Sequence, residues 1–194
     1  MSRHRTRKLE QVTQELEMSF EAKDDWGLLD LLGDFRLFKK GFGRRITNII
    51  SKEDGLSELK VKIFDYRYVI STGNSSRRFK QSVLFLQSKE LGLPEFWLQP
   101  EHLLHKIGNL LGFEDINFEH YPQFSRQYRL TGKEEDLVRH AFKNEILRYF
   151  TLRKNWRLEG LGYYFILYQK DVLLHPEKVA YLYKEGIKIW GNLK

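Results

Sequence analysis

Residues 59–70 read L-K-V-K-I-F-D-Y-R-Y-V-I and alternate with a period of two. Only an extended strand puts residues i and i+2 on one face, so this stretch demands a β-strand. Leu59, Val61, Ile63, Asp65, Arg67 and Val69 share one face; Lys60, Lys62, Phe64, Tyr66, Tyr68 and Ile70 share the other. The first face mixes aliphatic and charged side chains and the second adds aromatic ones, as expected of a strand in the middle of a sheet.

The flanking sequence builds a meander on this strand. Residues 44–51 are strand-like, and Lys52-Glu-Asp-Gly55 is a turn signal, so the two runs read as a hairpin. Thr72-Gly-Asn-Ser-Ser76 is a loop, after which residues 79–88 resume as a strand centred on Val83–Leu86. Three consecutive strands joined by short polar turns must be antiparallel. Further strands are expected at 18–22, 93–98, 115–119 and 124–130, with a hairpin of 156–159 and 163–168 around Gly160-Leu-Gly162.

Helices are expected at 6–17, where Leu9, Val12, Thr13 and Leu16 form one stripe, and at 26–32 behind the acidic pair Asp24-Asp25. Others fall near 101–111, over 134–152 with a break near Lys143, and over 176–190. Leu98-Gln-Pro-Glu101 and Leu174-His-Pro-Glu177 are a faint internal echo, consistent with a duplicated meander-plus-helix unit. The fold class that follows is α+β, with antiparallel strands covered by helices. A length of 194 residues suits one domain, residues 1–194, with the basic helix of 1–17 as a peripheral element.

Composition excludes several classes. No apolar run approaches the ~20 residues of a membrane helix. The basic segment 1–8 is not followed by an apolar stretch and is not read as a secretory signal. With no cysteine, thiolate chemistry and cysteine-held metals are out. A cytoplasmic location is expected, with peripheral membrane association as a further option. No cofactor is expected.

The net charge of +7 is localised. Residues 36–80 carry twelve Lys and Arg against four Asp and Glu, so their excess alone exceeds the total. Such a segment attracts an acidic partner: protein, nucleic acid or an anionic surface. Its candidate binding residues are Arg44, Arg45, Lys60, Lys62, Tyr66, Arg67, Tyr68, Arg77 and Arg78. Lys62, Phe64 and Tyr66 have the spacing of an RNA-binding strand, where bases stack on exposed rings. Ile63 and Asp65, however, occupy positions that need small residues, and Val69 stands where the last aromatic should be. Gly41-Phe-Gly-Arg-Arg45 reads as a turn with exposed arginines.

Asp65 and Arg67 share a face two residues apart and are expected to form a structural ion pair. His102 and His105, three apart on a helix, are the only spacing that hints at a metal, and no third ligand is in view. There is no G-x-S-x-G, P-loop or dinucleotide fingerprint. Val179, Leu182, Tyr183, Ile187 and Trp190 form a stripe on the last helix, suited to core packing or to pairing with a second copy.

Several phrases together resemble a known group of proteins. Gly43-Arg-Arg-Ile-Thr-Asn-Ile49 leads into Lys62-Ile-Phe-Asp-Tyr-Arg-Tyr68. Gln81-Ser-Val83, Leu93-Pro-Glu-Phe-Trp-Leu-Gln-Pro-Glu101 and Pro122-Gln-Phe-Ser-Arg-Gln-Tyr128 follow. Over about residues 15–190 the chain resembles an uncharacterised bacterial domain family, common in cyanobacteria, whose members often carry a membrane anchor and a basic stretch before the domain. The resemblance implies no activity and no catalytic residue. The expectation is therefore a non-catalytic binding domain with a basic surface. The alternatives are a nucleic-acid-binding module using the hairpin of 43–80 and, last, a histidine-dependent metal enzyme.

Overall fold

The structure, a computed structural model, describes residues 3–55, 58–101 and 114–194. Its strands are β1 (Ser19–Lys23), β2 (Phe42–Asp54), β3 (Leu59–Thr72), β4 (Ser75–Gln87), β5 (Leu93–Pro100), β6 (Tyr128–Gly132), β7 (Arg157–Gly162) and β8 (Tyr164–Tyr168). Its helices are α1 (Arg3–Glu15), α2 (Leu28–Leu31), α3 (Pro122–Gln127), α4 (Glu135–Ala141), α5 (Asn144–Thr151) and α6 (Val179–Leu193). All the strands join one antiparallel sheet in the order β1-β2-β3-β4-β8-β7-β5-β6. The α+β architecture is as expected. The first four strands form a meander in chain order, whereas β5 lies between β7 and β6 in the second half.

The alternation of β3 sorts its side chains onto two cores. Leu59, Val61 and Ile63 face Leu9 of α1 and Leu182 and Ile189 of α6 in the larger core. Phe64, Tyr66 and Tyr68 point the opposite way, into a smaller aromatic core with Phe38, Phe79 and Phe85. Each fully buried side chain of this size contributes about 1.5–3 kcal/mol relative to exposure, so both faces of the strand are held. α6 approaches β4 closely because residue 186 is glycine: a Cβ there would stand 2.5 Å from the Leu84 side chain. The stripe expected on α6 is mostly used internally. Val179 and Leu182 are buried, and Tyr183, Ile187 and Trp190 pack half-buried on the larger core.

The smaller core is closed by residues 32–41, a strap that crosses the sheet after α2. Leu32, Leu37 and Phe38 of the strap are almost completely buried. Asp24 caps α2, its carboxylate accepting the N–H groups of Leu28 at 2.8 Å and Leu29 at 2.9 Å. Gly41 ends the strap at φ +60°, and any Cβ there would overlap the carbonyl oxygen of Val69. Only glycine fits that position.

Two local expectations change. Residues 115–119 are not a ladder strand, although the Ile116 N–H donates to the Leu130 carbonyl at 2.8 Å. Residues 124–130 divide into α3 and β6, because Pro122 in the first turn presets helical φ. The break near Lys143 is present, between α4 and α5. The helix expected near 101–111 falls almost entirely outside the described residues.

Candidate functional site

α1 is fastened to the sheet through Asp65. The Asp65 carboxylate accepts from Arg5 Nε at 2.7 Å and Arg5 Nη2 at 2.8 Å, and from Asn48 Nδ2 and Ser82 Oγ, each at 2.9 Å. Arg5 Nη1 also donates to the Leu174 carbonyl at 2.6 Å, and Thr6 Oγ1 to Asn48 Oδ1 at 2.9 Å. Asn48 reaches Asp65 from a bulge in β2, at φ +53°, a conformation asparagine tolerates better than most residues. The ion pair expected between Asp65 and Arg67 is thus corrected to Asp65 and Arg5. Arg67 lies one full pleat repeat along the strand, while α1 lays its guanidinium directly over the carboxylate.

The basic candidate residues do not form one surface, because neighbours in a strand face opposite ways. Arg44, Lys60, Lys62, Tyr66, Tyr68 and Arg77 belong to the strap face; Arg45, Arg67 and Arg78 belong to the α1 face. Several are engaged. Arg44 Nη1 donates to the Phe38 carbonyl at 2.6 Å, Lys60 pairs with Glu53 at 3.3 Å, Lys62 Nζ donates to Ser51 Oγ at 3.2 Å, and Arg77 pairs with Asp171 at 2.9 Å. Tyr66 is 0 % exposed and Tyr68 2 %, so neither ring can stack on a base. This corrects the stacking platform expected of the 43–80 hairpin. The rings stack instead on each other, with centroids 5.5 Å apart, and Phe38 covers Tyr66 at 4.6 Å.

What remains on the α1 face is a row of cations. Arg45 is the register partner of Arg67 across β2 and β3, and Arg67 is the partner of Lys80 across β3 and β4. Arg78, opposite Val69, lies one step further out on the same face. Among the described residues, the side chains of Arg45, Arg67 and Lys80 have no carboxylate partner. Like charges placed directly opposite destabilise a sheet.

A second polar group, which sequence reading passed over, lies under the strap. Arg157 and Glu159 of β7 are 4 % and 2 % exposed, within the hairpin expected of 156–159 and 163–168. Glu159 Oε1 accepts the Tyr168 hydroxyl at 2.9 Å, and Oε2 accepts the Leu37 N–H of the strap at 3.4 Å. Arg157 Nη1 donates to Gln99 Oε1 at 3.1 Å. From above, the Arg36 guanidinium lies 4.8 Å and the Lys40 ammonium 5.2 Å from the centre of the Trp97 ring. Burial lowers Lys40 to about 8; Glu159 opposes that shift, while Arg157, Lys170 and Arg36 add to it. Burial likewise raises the Glu159 carboxyl, with Lys40 and the Tyr168 hydroxyl opposing. The signal in sequence was the charged pair in an otherwise apolar hairpin, R-L-E, two residues apart on one face.

His102 and His105 lie outside the described residues. Among the described residues no three His, Asp or Glu side chains could share a metal ion, and no helix is long and apolar enough to cross a membrane.

No protein-family model matches the chain, and no curated protein matches it. Among solved structures, the chain is similar to the crystal structure of the mycobacterial trehalose monomycolate transport factor A, TtfA. The similarity has a TM-score of 0.64 at 10 % identity and covers 98 % of this chain and 93 % of that one. The likeness is one of fold.

Proposed function

We propose that this chain is a non-catalytic binding domain that docks an acidic protein surface on the row Arg45, Arg67 and Lys80. The observation that carries the reading is the register: three cations on adjacent strands, on one face, whose side chains form no ion pair among the described residues. A sheet tolerates that repulsion where an acidic partner offsets it. The aromatic rings of β3 are buried, which favours a protein partner over a nucleic acid that would need stacking surfaces. That TtfA is a transport factor by name fits an accessory role for a protein of this fold. Membership of the uncharacterised bacterial domain family belongs to the same proposal.

The test is fluorescence anisotropy with a labelled polyglutamate peptide at two salt concentrations. Binding should be salt-dependent and should weaken at least tenfold in the triple variant Arg45→Gln, Arg67→Gln, Lys80→Gln. Equal binding by the triple variant and the parent protein contradicts the reading.

A further inference from the structure

We propose that the surface formed by Trp26, α2 and the start of β2 is a self-complementary interface. It pairs two copies of this chain about a two-fold axis, the Trp26 ring of each entering a groove on the other.

A knob and a hole belong to the same short stretch of structure. Trp26 is 87 % exposed, whereas Trp97 and Trp156 are buried and Trp190 is half-buried. Tryptophan is highly buried on average, so a ring left standing in water calls for a reason. Leu31 and Phe42, each 56 % exposed, add to the apolar surface. A groove of about 550 Å³ lies between α2 and the start of β2, lined by Leu29, Phe38 and Phe42. Gly33 and Gly43 also line it and, having no side chains, leave it unfilled. That is ample room for an indole. An aromatic side chain carries about 150–250 Å². The two Trp26 and two Phe42 rings therefore bring on the order of half of the ~1,200 Å² that a small specific interface needs, before the groove walls are counted.

Charge says what covers this surface. Asp30 and Arg44 both line the groove, and among the described residues neither pairs with an opposite charge. Arg44 donates to the Phe38 carbonyl at 2.6 Å, which holds the guanidinium in place without neutralising it. A two-fold axis brings residue i of one copy to residue j of the other, and j to i. Asp30 of each copy then meets Arg44 of the other, and both charges are satisfied. A surface that carries both signs, a knob and a hole suits a second copy of itself better than a partner of one strong charge. The C-terminal helix, expected from its stripe to be able to pair two copies, already spends that stripe on the larger core. The groove lies on the strap side, where Leu29 and Phe38 pack in the smaller core. The cationic row is on the opposite face, so the two surfaces act independently.

Sedimentation equilibrium of the whole protein over a range of concentrations tests the pairing, with intrinsic tryptophan emission read in parallel. A monomer–dimer equilibrium is expected, the emission moving to shorter wavelength as Trp26 leaves water. Trp26→Ser replaces an exposed side chain and is expected to fold. It should weaken association at least tenfold and abolish the concentration-dependent shift in emission. Asp30→Arg and Arg44→Asp should each weaken association too, by setting like charges against each other. An equimolar mixture of those two variants should pair as tightly as the parent protein, because both contacts of the mixed dimer then join opposite charges. A single monomeric species at every concentration, a dimer undiminished in Trp26→Ser, or a mixture that pairs no better than its components overturns the proposal. The triple row variant should pair like the parent protein. Its failure to pair would put the cationic row in the contact and overturn the two-fold arrangement.

Discussion

Arg5 and Asp65 meet at 2.7 Å across sixty residues of chain. The pair fastens the first helix to the central strand, with side chains 15 % and 3 % exposed. Attraction between two withdrawn charges offsets their desolvation only when the remaining hydrogen-bonding capacity is filled. Here Asn48, Ser82 and the Leu174 carbonyl fill it. Removing one partner should therefore be costly: Asp65→Asn or Arg5→Met should lower stability by about 3–5 kcal/mol. In urea denaturation the double variant should lose less than the sum of the single losses. Additive losses would show the two groups to be uncoupled.

The cationic row leads to the opposite expectation. Arg67 stands between Arg45 and Lys80. Replacing it with threonine, a good strand residue, should raise stability by about 0.2–1 kcal/mol at low salt. The gain should shrink as salt screens the repulsion. Thermal unfolding at two ionic strengths measures it, and a loss of stability on substitution would show that Arg67 makes a stabilising contact.

Lys40 should behave unlike the other lysines in solution. Its value of about 8, against an ordinary 10.5, leaves much of it neutral at pH 8. Amine-directed labelling at that pH should modify Lys40 on the order of tenfold faster than an exposed lysine. The stability consequence follows in sign. Between about pH 8 and 10.5 the unfolded chain holds more protons at this residue than the folded one, so stability rises with pH there. Tyr68 acts the other way: burial pushes it up to about 12, so the folded state keeps its proton above pH 10 and stability falls. Lys40→Met should remove the rise between pH 8 and 10 and keep the fall above it.

Gly41 links the strap to β2 at φ +60°, with no room for a Cβ against the Val69 carbonyl. Gly41→Ala should cost more than about 2 kcal/mol, since both the backbone conformation and the space are denied to alanine. Gly73, also at positive φ but with nothing nearby, should cost less on the same substitution, because strain acts there alone. Parallel denaturation curves of the two variants separate strain from overlap.

These predictions divide by how far apart in sequence their residues lie. The meander β2–β3–β4 was legible because strand alternation and turn residues are local signals, and the broken helix over 135–151 was legible from its apolar spacing. Asp65 was legible as half of an ion pair, read with Arg67, but its actual partner Arg5 could not be read, because no local pattern encodes where a helix crosses a sheet. The cationic row was half-legible. The charge excess of 36–80 stood out, yet which cations share a face depends on the register and on the bulges in β2. The strap was opaque, since 32–41 has no period of two or of 3.6, and its anchor Glu159 lies 122 residues from Leu37.

The central claim concerns the face that meets an acidic partner, and a titration read residue by residue tests it most directly. Polyglutamate peptide added to isotopically labelled protein should shift the backbone amide resonances of Arg45, Arg67 and Lys80 and of their immediate neighbours on the α1 face. Those shifts should vanish in the triple glutamine variant. Shifts scattered evenly over the basic residues of both faces, or persisting in the variant, would contradict the account.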